Sequence, residues 1–340
     1  MFTPLQTLLG GYLLHLSTSS LLSLAGRVFG VSGIVSGAVL GDRASWRWAT
    51  LGGMFLGPLL VSMTGLNGSF PDDGLLSWGK QGWARLMLGG SLVGLGSRLG
   101  SGCTSGHFLC GVSRLSPRSL IATLTFFSTS LLTSYFFPSP FLSPPTSSLH
   151  LIPSASFTPS SSSILILLTT VGLTILLQTL PTFLPLTKLH LRSLPYILNG
   201  IIFSLGLQMS GMISPLKVAA FLTPFSPDFD PSLALIVITG VIPNAIQWGI
   251  IKNIRRPKLD WESWNVPTRP DIDWKLLLGS SLFGVGWALT GVCPGPAVVG
   301  LSNIIFGTLS SSTYQDNLMI LGKVGTYMGC MLAGMAIVKV

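Results

Sequence analysis

Two cysteines stand at equivalent positions of an internal repeat, and they are the residues with the clearest capacity for chemistry in this sequence. The first copy covers residues 85–103 and the second covers residues 275–293, so Cys103 recurs as Cys293 at an offset of 190, with nine identical positions and no gap. Each cysteine is flanked by glycine or proline, and after it the pattern breaks into TSGH in the first copy and PGPA in the second. Apolar helices that break at equivalent places of two repeats are typical of membrane transporters, in which the broken ends meet near the middle of the bilayer.

The broken helix ends give the two thiols surroundings suited to an anion. Free N–H groups and the positive end of the helix dipole attract negative charge, and sulfur beside such donors suits an anion that itself carries sulfur. A lone buried cysteine in a membrane is usually an apolar filler, but the repetition favours a shared function. The predicted substrate-path residues are Cys103, Thr104, Ser105, Gly106, His107, Cys110, Cys293 and Gly295.

A metal site is the alternative interpretation of the first cysteine cluster. Cys103, His107 and Cys110 are spaced i, i+4 and i+7, which places them on one face of an α-helix and suits zinc or copper. The second copy has no counterpart of His107 or Cys110, so we predict neither a metal site nor a cofactor. Cys110 is either a second sulfur contact or a packing residue, and Cys330 is expected to pack.

The composition predicts a polytopic membrane protein. Only 19 Lys and Arg and 10 Asp and Glu occur in 340 residues, and the mean hydropathy is +0.66, whereas a soluble chain of this length needs far more surface charge. The net charge of +9 raises nucleic-acid binding as an alternative. However, the basic residues form short clusters between apolar runs rather than one basic face, so we expect a lipid bilayer as a partner and no nucleic acid.

The apolar runs predict an all-α fold of two inverted repeats, with about nine transmembrane helices and four re-entrant half-helices. The predicted spans are 5–26, 48–66, 83–100, 118–137, 163–187, 195–210, 232–251, 274–290 and 317–338. The predicted half-helices are 29–41, 103–115, 212–223 and 293–307. The domains are a first repeat at 1–137, a Ser/Pro-rich linker at 138–162, a central connecting helix at 163–193, and a second repeat at 194–340 whose orientation that helix inverts.

The distribution of Lys and Arg predicts the orientation. With the N-terminus outside and the C-terminus inside, most basic residues fall on the inner side, as the positive-inside rule requires. The sequon that begins at Asn67 then lies outside. The first apolar segment lacks a positively charged leader and is expected to be a retained helix. We expect a multi-pass protein of the cell membrane, with an organelle membrane as the alternative.

The ionisable residues favour an anion as the transported species and argue against coupling to protons through a carboxylate. All ten acidic residues fall in predicted loops, whereas proton-coupled transporters commonly use carboxylates inside the membrane. Four cations lie near or within apolar segments, and each one alone is expected to snorkel or to cap a helix; they are Arg27, Arg98, Lys217 and Lys323. No P-loop and no Ser/His/Asp arrangement is recognisable, so we expect no enzyme activity.

Three stretches resemble the YeeE/YedE family of sulfur-compound transporters, which includes thiosulfate uptake proteins. They are GSGCTSGHFLCGVSRLSPRSLIATLTF at 101–127, GLQMSGMISPLKVAAFL at 206–222 and GVGWALTGVCPGPAVVG at 284–300. The resemblance implies an hourglass-like, pseudo-symmetric helical protein in which thiosulfate contacts cysteines along a narrow path. Cys103 and Cys293 match the two central cysteines of that path. Residues 1–102 lack the further cysteine of the thiosulfate transporters, and the chain looks like a fusion of shorter family members.

The sequence therefore predicts a transporter that takes up a sulfur-containing anion, with thiosulfate as the first candidate. The alternative is a membrane sulfurtransferase, or persulfide relay, in which the thiols carry sulfane sulfur covalently to a cytosolic sulfur-accepting protein. A relay needs a base beside the thiol, and His107 is the candidate.

Overall fold

The protein is described here by a computed structural model that covers residues 2–64, 78–140, 142, 191–308 and 314–338, with parts of 164–179. Within these ranges the regular elements are helical, and one isolated β-bridge pairs Arg27 with Asn265. The sequon at Asn67, most of the linker at 138–162 and much of the central helix at 163–193 lie outside the described residues.

Six helical elements make up the first half of the described chain, and eight make up the second. The first six are α1 (Pro4–Ala25), α2 (Val31–Val39), α3 (Ser45–Thr64), α4 (Trp83–Leu99), the π-helix Ser105–Val112 and α5 (Pro117–Phe136). The others are α6 (Leu194–Ser210), α7 (Pro215–Phe221), the 3-10 turn Pro231–Leu235, the π turn Val237–Val241, α8 (Ile242–Ile251), α9 (Trp274–Thr290), α10 (Pro294–Thr308) and α11 (Tyr314–Ile337).

Local sequence signals set the helix ends. Gly26, Gly211 and Gly291 take φ values of 66°, 75° and 70° directly after α1, α6 and α9, a left-handed conformation that glycine adopts without steric cost. Ser116 caps α5 and Ser214 caps α7, and each serine side chain accepts a hydrogen bond from a backbone N–H group. In both helices proline follows the serine at the first helical position. These signals also underlie the predicted boundaries.

The two helices that carry the repeat pack directly against each other, and they run antiparallel. A Cβ on Gly96 of α4 would lie 2.6 Å from the Gly279 carbonyl oxygen of α9, and a Cβ on Gly286 would lie 2.7 Å from the Gly89 carbonyl oxygen. Gly96 corresponds to Gly286 in the repeat, and Gly89 corresponds to Gly279. The two contacts are therefore images of each other.

The other large packing contacts also come in corresponding pairs. In the first pair of contacts, α4 packs against α11 and its repeat equivalent α9 packs against α5. In the second pair, α3 packs against α6 and the segment 231–251 packs against α1. The outward faces carry exposed Leu, Ile and Phe side chains, while many Ser and Thr side chains are buried. This distribution is expected where lipid rather than water surrounds the helices.

The described part of the chain contains five or six helices that can span a membrane, whereas nine spans are predicted, one of them at 163–187 and largely outside the described residues. Five helical stretches of the described chain are long and apolar enough to cross a bilayer: Pro4–Ala25, Pro117–Phe136, Pro231–Ile251, Trp274–Phe306 and Leu318–Ile337. The pair α6 and α7, bent by 62°, raises the number to six. α4 falls short because it has only 17 residues, and the predicted half-helix at 293–307 continues α9 as part of one 33-residue stretch.

Candidate functional site

The thiol of Cys103 lies at the N-terminus of α2. The backbone N–H of Ser32 donates to Cys103 Sγ at 3.4 Å, and Ser105 Oγ lies 3.4 Å from the same sulfur. Ser105 Oγ in turn accepts a hydrogen bond from the Val31 N–H at 3.0 Å. The start of α2 therefore directs two N–H groups at the cysteine and its serine neighbour, an arrangement that favours negative charge.

Cys293 is connected to the first cysteine segment through a threonine. Thr104 Oγ1 lies 3.5 Å from Cys293 Sγ, and both residues are buried. Cys103 and Cys293 border one cavity of about 30 Å³, and Thr104, Ser105 and Gly295 border it as well. Neither cysteine forms a disulfide. The structure thus brings together five of the eight predicted path residues.

The wall of this central cavity is largely apolar. Phe203, Leu207, Met212 and Ile236 supply much of it, and none of the described residues that border it is charged. The cavity has room for little more than a water molecule. A polyatomic anion therefore requires the cavity to widen, and it must shed most of its water there.

A larger and strongly basic cavity of about 420 Å³ lies beside the central one; we call it the vestibule. Gly106 and His107, which follow Cys103 in the motif, border the vestibule instead of the central cavity. Four arginines also border it: Arg47, Arg114, Arg118 and Arg269.

Some of the vestibule arginines have acidic partners. Arg47 donates to Asp42, at 2.7 Å from Nε to Oδ1, and this hydrogen bond holds the pKa of the Asp42 carboxyl below its ordinary value. Arg118 pairs with Asp271 and Asp273, whereas Arg114 donates to the carbonyl oxygens of Cys110 and Pro267.

The helical face of the alternative metal site does not form in the described structure. Cys103 precedes the helix that holds His107 and Cys110, and residues 105–112 adopt a π-helix instead of an α-helix. Both nitrogens of the His107 ring have other partners: Nε2 lies 3.0 Å from the Gly100 carbonyl oxygen, and Nδ1 lies 3.1 Å from Ser119 Oγ. Cys110 borders a third cavity, with Thr18 and Asn244.

Two acidic residues are more enclosed than their predicted loops imply. Glu262 forms an ion pair of 2.7 Å with Arg27 and accepts from the Tyr196 hydroxyl, and its side chain is only 10% exposed. Asp230 is buried at the start of the 3-10 turn, where it accepts from the Ser232 N–H. The partners of Glu262 are distant in sequence, so composition alone does not reveal its burial.

The donors at the start of α2 were not predicted as part of the site. Ser32 is 71 residues away from Cys103 in sequence, and contacts over this separation leave no local pattern. The one available signal is the weak match between SGI at 32–34 and SGM at 210–212, which marks a helix start in one half and a helix end in the other.

Comparison with known protein families assigns the two halves separately. Residues 4–132 match the family described as sulphur transport, and residues 192–340 match a family of unknown function, DUF6691. No solved structure matches the chain.

Several similar proteins come from Xylella fastidiosa, and each is named "Probable transporter". One from strain Temecula1 is 42% identical and one from strain 9a5c is 40% identical, each over 129 residues. Each of these matches covers 38% of this chain and 91% of the relative. Another from strain 9a5c is 38% identical over 103 residues, or 30% of this chain and 70% of that relative. With several apolar helices, these likenesses support a multi-pass membrane transporter, and the chain belongs to the sulphur transport family, the YeeE/YedE family of sulfur-compound transporters.

Proposed function

We propose that this protein takes up a sulfur-containing anion, with thiosulfate as the first candidate, along a path lined by Cys103 and Cys293. The observation that carries the proposal is that the two repeat-equivalent thiols border the same buried cavity. Thr104, Ser105 and Gly295 complete the contacts at the cysteines, while Gly106 and His107 line the vestibule end of the same path.

The apolar wall supplies a physical basis for selection. Moving an unpaired ion from water into a medium of low dielectric costs on the order of tens of kcal/mol in the idealised limit, and sulfate holds its water through four oxygens. Thiosulfate replaces one oxygen with a larger, less strongly hydrated sulfur. That sulfur loses less hydration beside two thiols, and thiols are weak hydrogen-bond donors. The Ser32 N–H and the Thr104 hydroxyl stabilise the remaining charge near the cysteines.

The path is proposed to lie on the axis of two inverted repeats. The reciprocal contacts between α4 and α9 support this symmetry, because a two-fold axis makes residue i of one copy meet residue j of the other and the reverse. The repeats are 1–137 and 194–340, joined by the linker and the central helix, with an hourglass-like shape and about nine crossings. The N-terminus is proposed to lie outside and the C-terminus inside the cell membrane.

The relay mechanism has less support from the geometry. It needs a base in reach of a thiol, and the ring nitrogens of His107 lie against Gly100 and Ser119 instead. We therefore propose non-covalent passage rather than covalent transfer.

Growth on thiosulfate tests the proposed function. A bacterial strain that lacks its own sulfate and thiosulfate uptake should grow on thiosulfate as sole sulfur source when it expresses this protein. The Cys103→Ala and Cys293→Ala variants should not support growth at equal expression, whereas Cys330→Ala should. Equal growth of all three variants would refute the cysteine path, and persulfide on Cys103 that moves to a partner protein would favour the relay.

A further inference from the structure

A separate polar cavity of about 210 Å³ lies between α2 and the end of α4, beside the vestibule. Four serines and one arginine supply its polar lining: Ser32, Ser36, Ser97, Ser101 and Arg98. It shares Ser32, Gly33, Ser101 and Gly102 with the vestibule. We call it the serine cavity. Ser32 borders this cavity and also donates its N–H to Cys103 Sγ, so a single residue separates the serine cavity from this thiol.

Arg98 brings a positive charge that no carboxylate of the described residues neutralises. Its Nη1 donates to Ser36 Oγ at 3.3 Å, while its Nε is buried and has no hydrogen-bond partner in the described part of the chain. Arg27, Arg47 and Arg118 each pair with a carboxylate, and Arg98 pairs with none among the described residues. An unpaired buried N–H of a cation is costly, and an anion in the cavity would remove that cost.

The repeat shows that Arg98 is not required by the helix packing. Its equivalent in the second copy is Ala288, which is buried in α9. Of the two repeat helices, α4 therefore carries a cation at this position and α9 does not.

Ser101 gives a second, independent indication. It adopts a φ of 59°, and its equivalent in the second copy is Gly291, with a φ of 70°. A left-handed conformation strains serine but not glycine. The hydroxyls of Ser101 and Ser32 make no side-chain hydrogen bond within the described residues. Ser101 is exposed at the edge of the cationic cavity, where its hydroxyl is accessible to a ligand.

We propose that the serine cavity is a binding site for a small oxyanion such as thiosulfate or sulfate. Arg98 binds the anion through charge-assisted hydrogen bonds, and Ser32 and Ser101 donate their hydroxyls. The site holds the anion beside Cys103 before or after it passes the cysteines. The part that this site plays in transport rests on the proposed function. Anion binding at Arg98 does not rest on it, and this binding is measured separately from transport.

Titration calorimetry on the purified full-length protein in nanodiscs tests the site, with sodium thiosulfate and sodium sulfate as probes at low chloride. Arg98→Gln should weaken binding of both anions by about tenfold or more, and Arg98→Lys should weaken it less. Arg255→Gln is the matched control, because Arg255 is exposed beyond the end of α8 and borders none of the cavities described above. Its effect should be less than about threefold, since an exposed charge outside the cavities is screened.

Ser101→Gly provides a variant that is expected to fold at least as well as the wild type. Glycine fits the left-handed conformation, so thermal stability should rise slightly while anion affinity falls by about threefold, the value of one hydrogen bond. Wild-type anion affinity in Arg98→Gln, or equal losses of affinity in Arg98→Gln and Arg255→Gln, would overturn the proposal. So would the absence of anion binding by the wild type at millimolar concentrations.

The cysteine variants separate this proposal from the proposed function. The double variant Cys103→Ala/Cys293→Ala should retain anion binding at Arg98 although it carries no thiosulfate flux. If the wild type binds both anions through Arg98 but does not transport thiosulfate, the proposed function fails and the site stands. If thiosulfate flux is present and Arg98→Gln binds like the wild type, only the site fails.

Discussion

At the scale of single residues, the two central thiols predict a change in selectivity on serine substitution. Cys103→Ser and Cys293→Ser remove little volume and should retain the fold, but a hydroxyl is a stronger hydrogen-bond donor than a thiol and is better suited to oxygen. Thiosulfate flux should fall by about tenfold, which corresponds to about 1.4 kcal/mol, and the preference over sulfate should narrow. Paired uptake measurements with both anions check this, with Cys330→Ser as control.

Unchanged thiosulfate flux in the serine variants, with sulfate still excluded, would show that the path selects by size or by ease of dehydration. Contact between the thiols and the anion's sulfur would then not be the basis of selection.

Cys110 is expected to contribute packing rather than a contact to the substrate. It borders a cavity with Thr18 and Asn244 instead of the central cavity, and its weak S–H donor lies 3.9 Å from the Phe29 carbonyl oxygen. Cys110→Ala should therefore leave the thiosulfate transport rate within about twofold of the wild type. It should lower the free energy of unfolding by about 1 kcal/mol, because a small amount of packing is lost. A loss of flux as large as that of Cys103→Ala would instead place Cys110 on the path.

At the scale of elements, the contact between α4 and α9 depends on glycine. A Cβ at position 96 or 286 would meet backbone atoms of the facing helix rather than flexible side chains, so the helices must separate. Gly96→Ala and Gly286→Ala should each destabilise the protein by about 1–3 kcal/mol. Because the two positions are equivalent, the two losses should be similar.

Thermal unfolding in detergent, followed by size-exclusion chromatography with fluorescence detection, measures this effect. Gly325→Ala in α11 is the control, since a Cβ there meets nothing within 4 Å, and the alanine should be neutral or slightly stabilising. If Gly96→Ala were as stable as Gly325→Ala, the close antiparallel approach of α4 and α9 would be wrong.

The element boundaries were largely predictable from sequence, because glycine and proline act locally. The span predicted at 274–290 coincides with α9, and the span predicted at 83–100 ends one residue beyond α4. The π form of residues 105–112 was not predictable, since α and π turns share the same residue preferences and tertiary contacts decide between them. The donors at the start of α2 reach Cys103 only through the tertiary fold.

At the scale of the whole molecule, positive charge is found toward both ends of an apolar constriction. The vestibule with its four arginines adjoins the C-terminal end of α1, where Val28 and Gly30 border it. Lys217 is buried near the opposite end, where its Nζ donates to Thr3 at 2.6 Å and Thr7 at 2.9 Å. α1, with 22 residues and a length of roughly 33 Å, runs from one of these regions to the other. Clustered positive charge raises the local concentration of anions, and we expect the vestibule arginines to act in this way.

Uptake of radiolabelled thiosulfate into proteoliposomes that contain the purified protein tests the central claim most directly. The wild type should accumulate thiosulfate faster than empty liposomes, with sulfate a poor competitor, and Cys103→Ala/Cys293→Ala should reduce the rate to that of empty liposomes while Cys330→Ala does not. Thiosulfate uptake by the double variant at the wild-type rate would contradict a path through these cysteines. Equal uptake by wild-type and empty liposomes would contradict thiosulfate as the substrate.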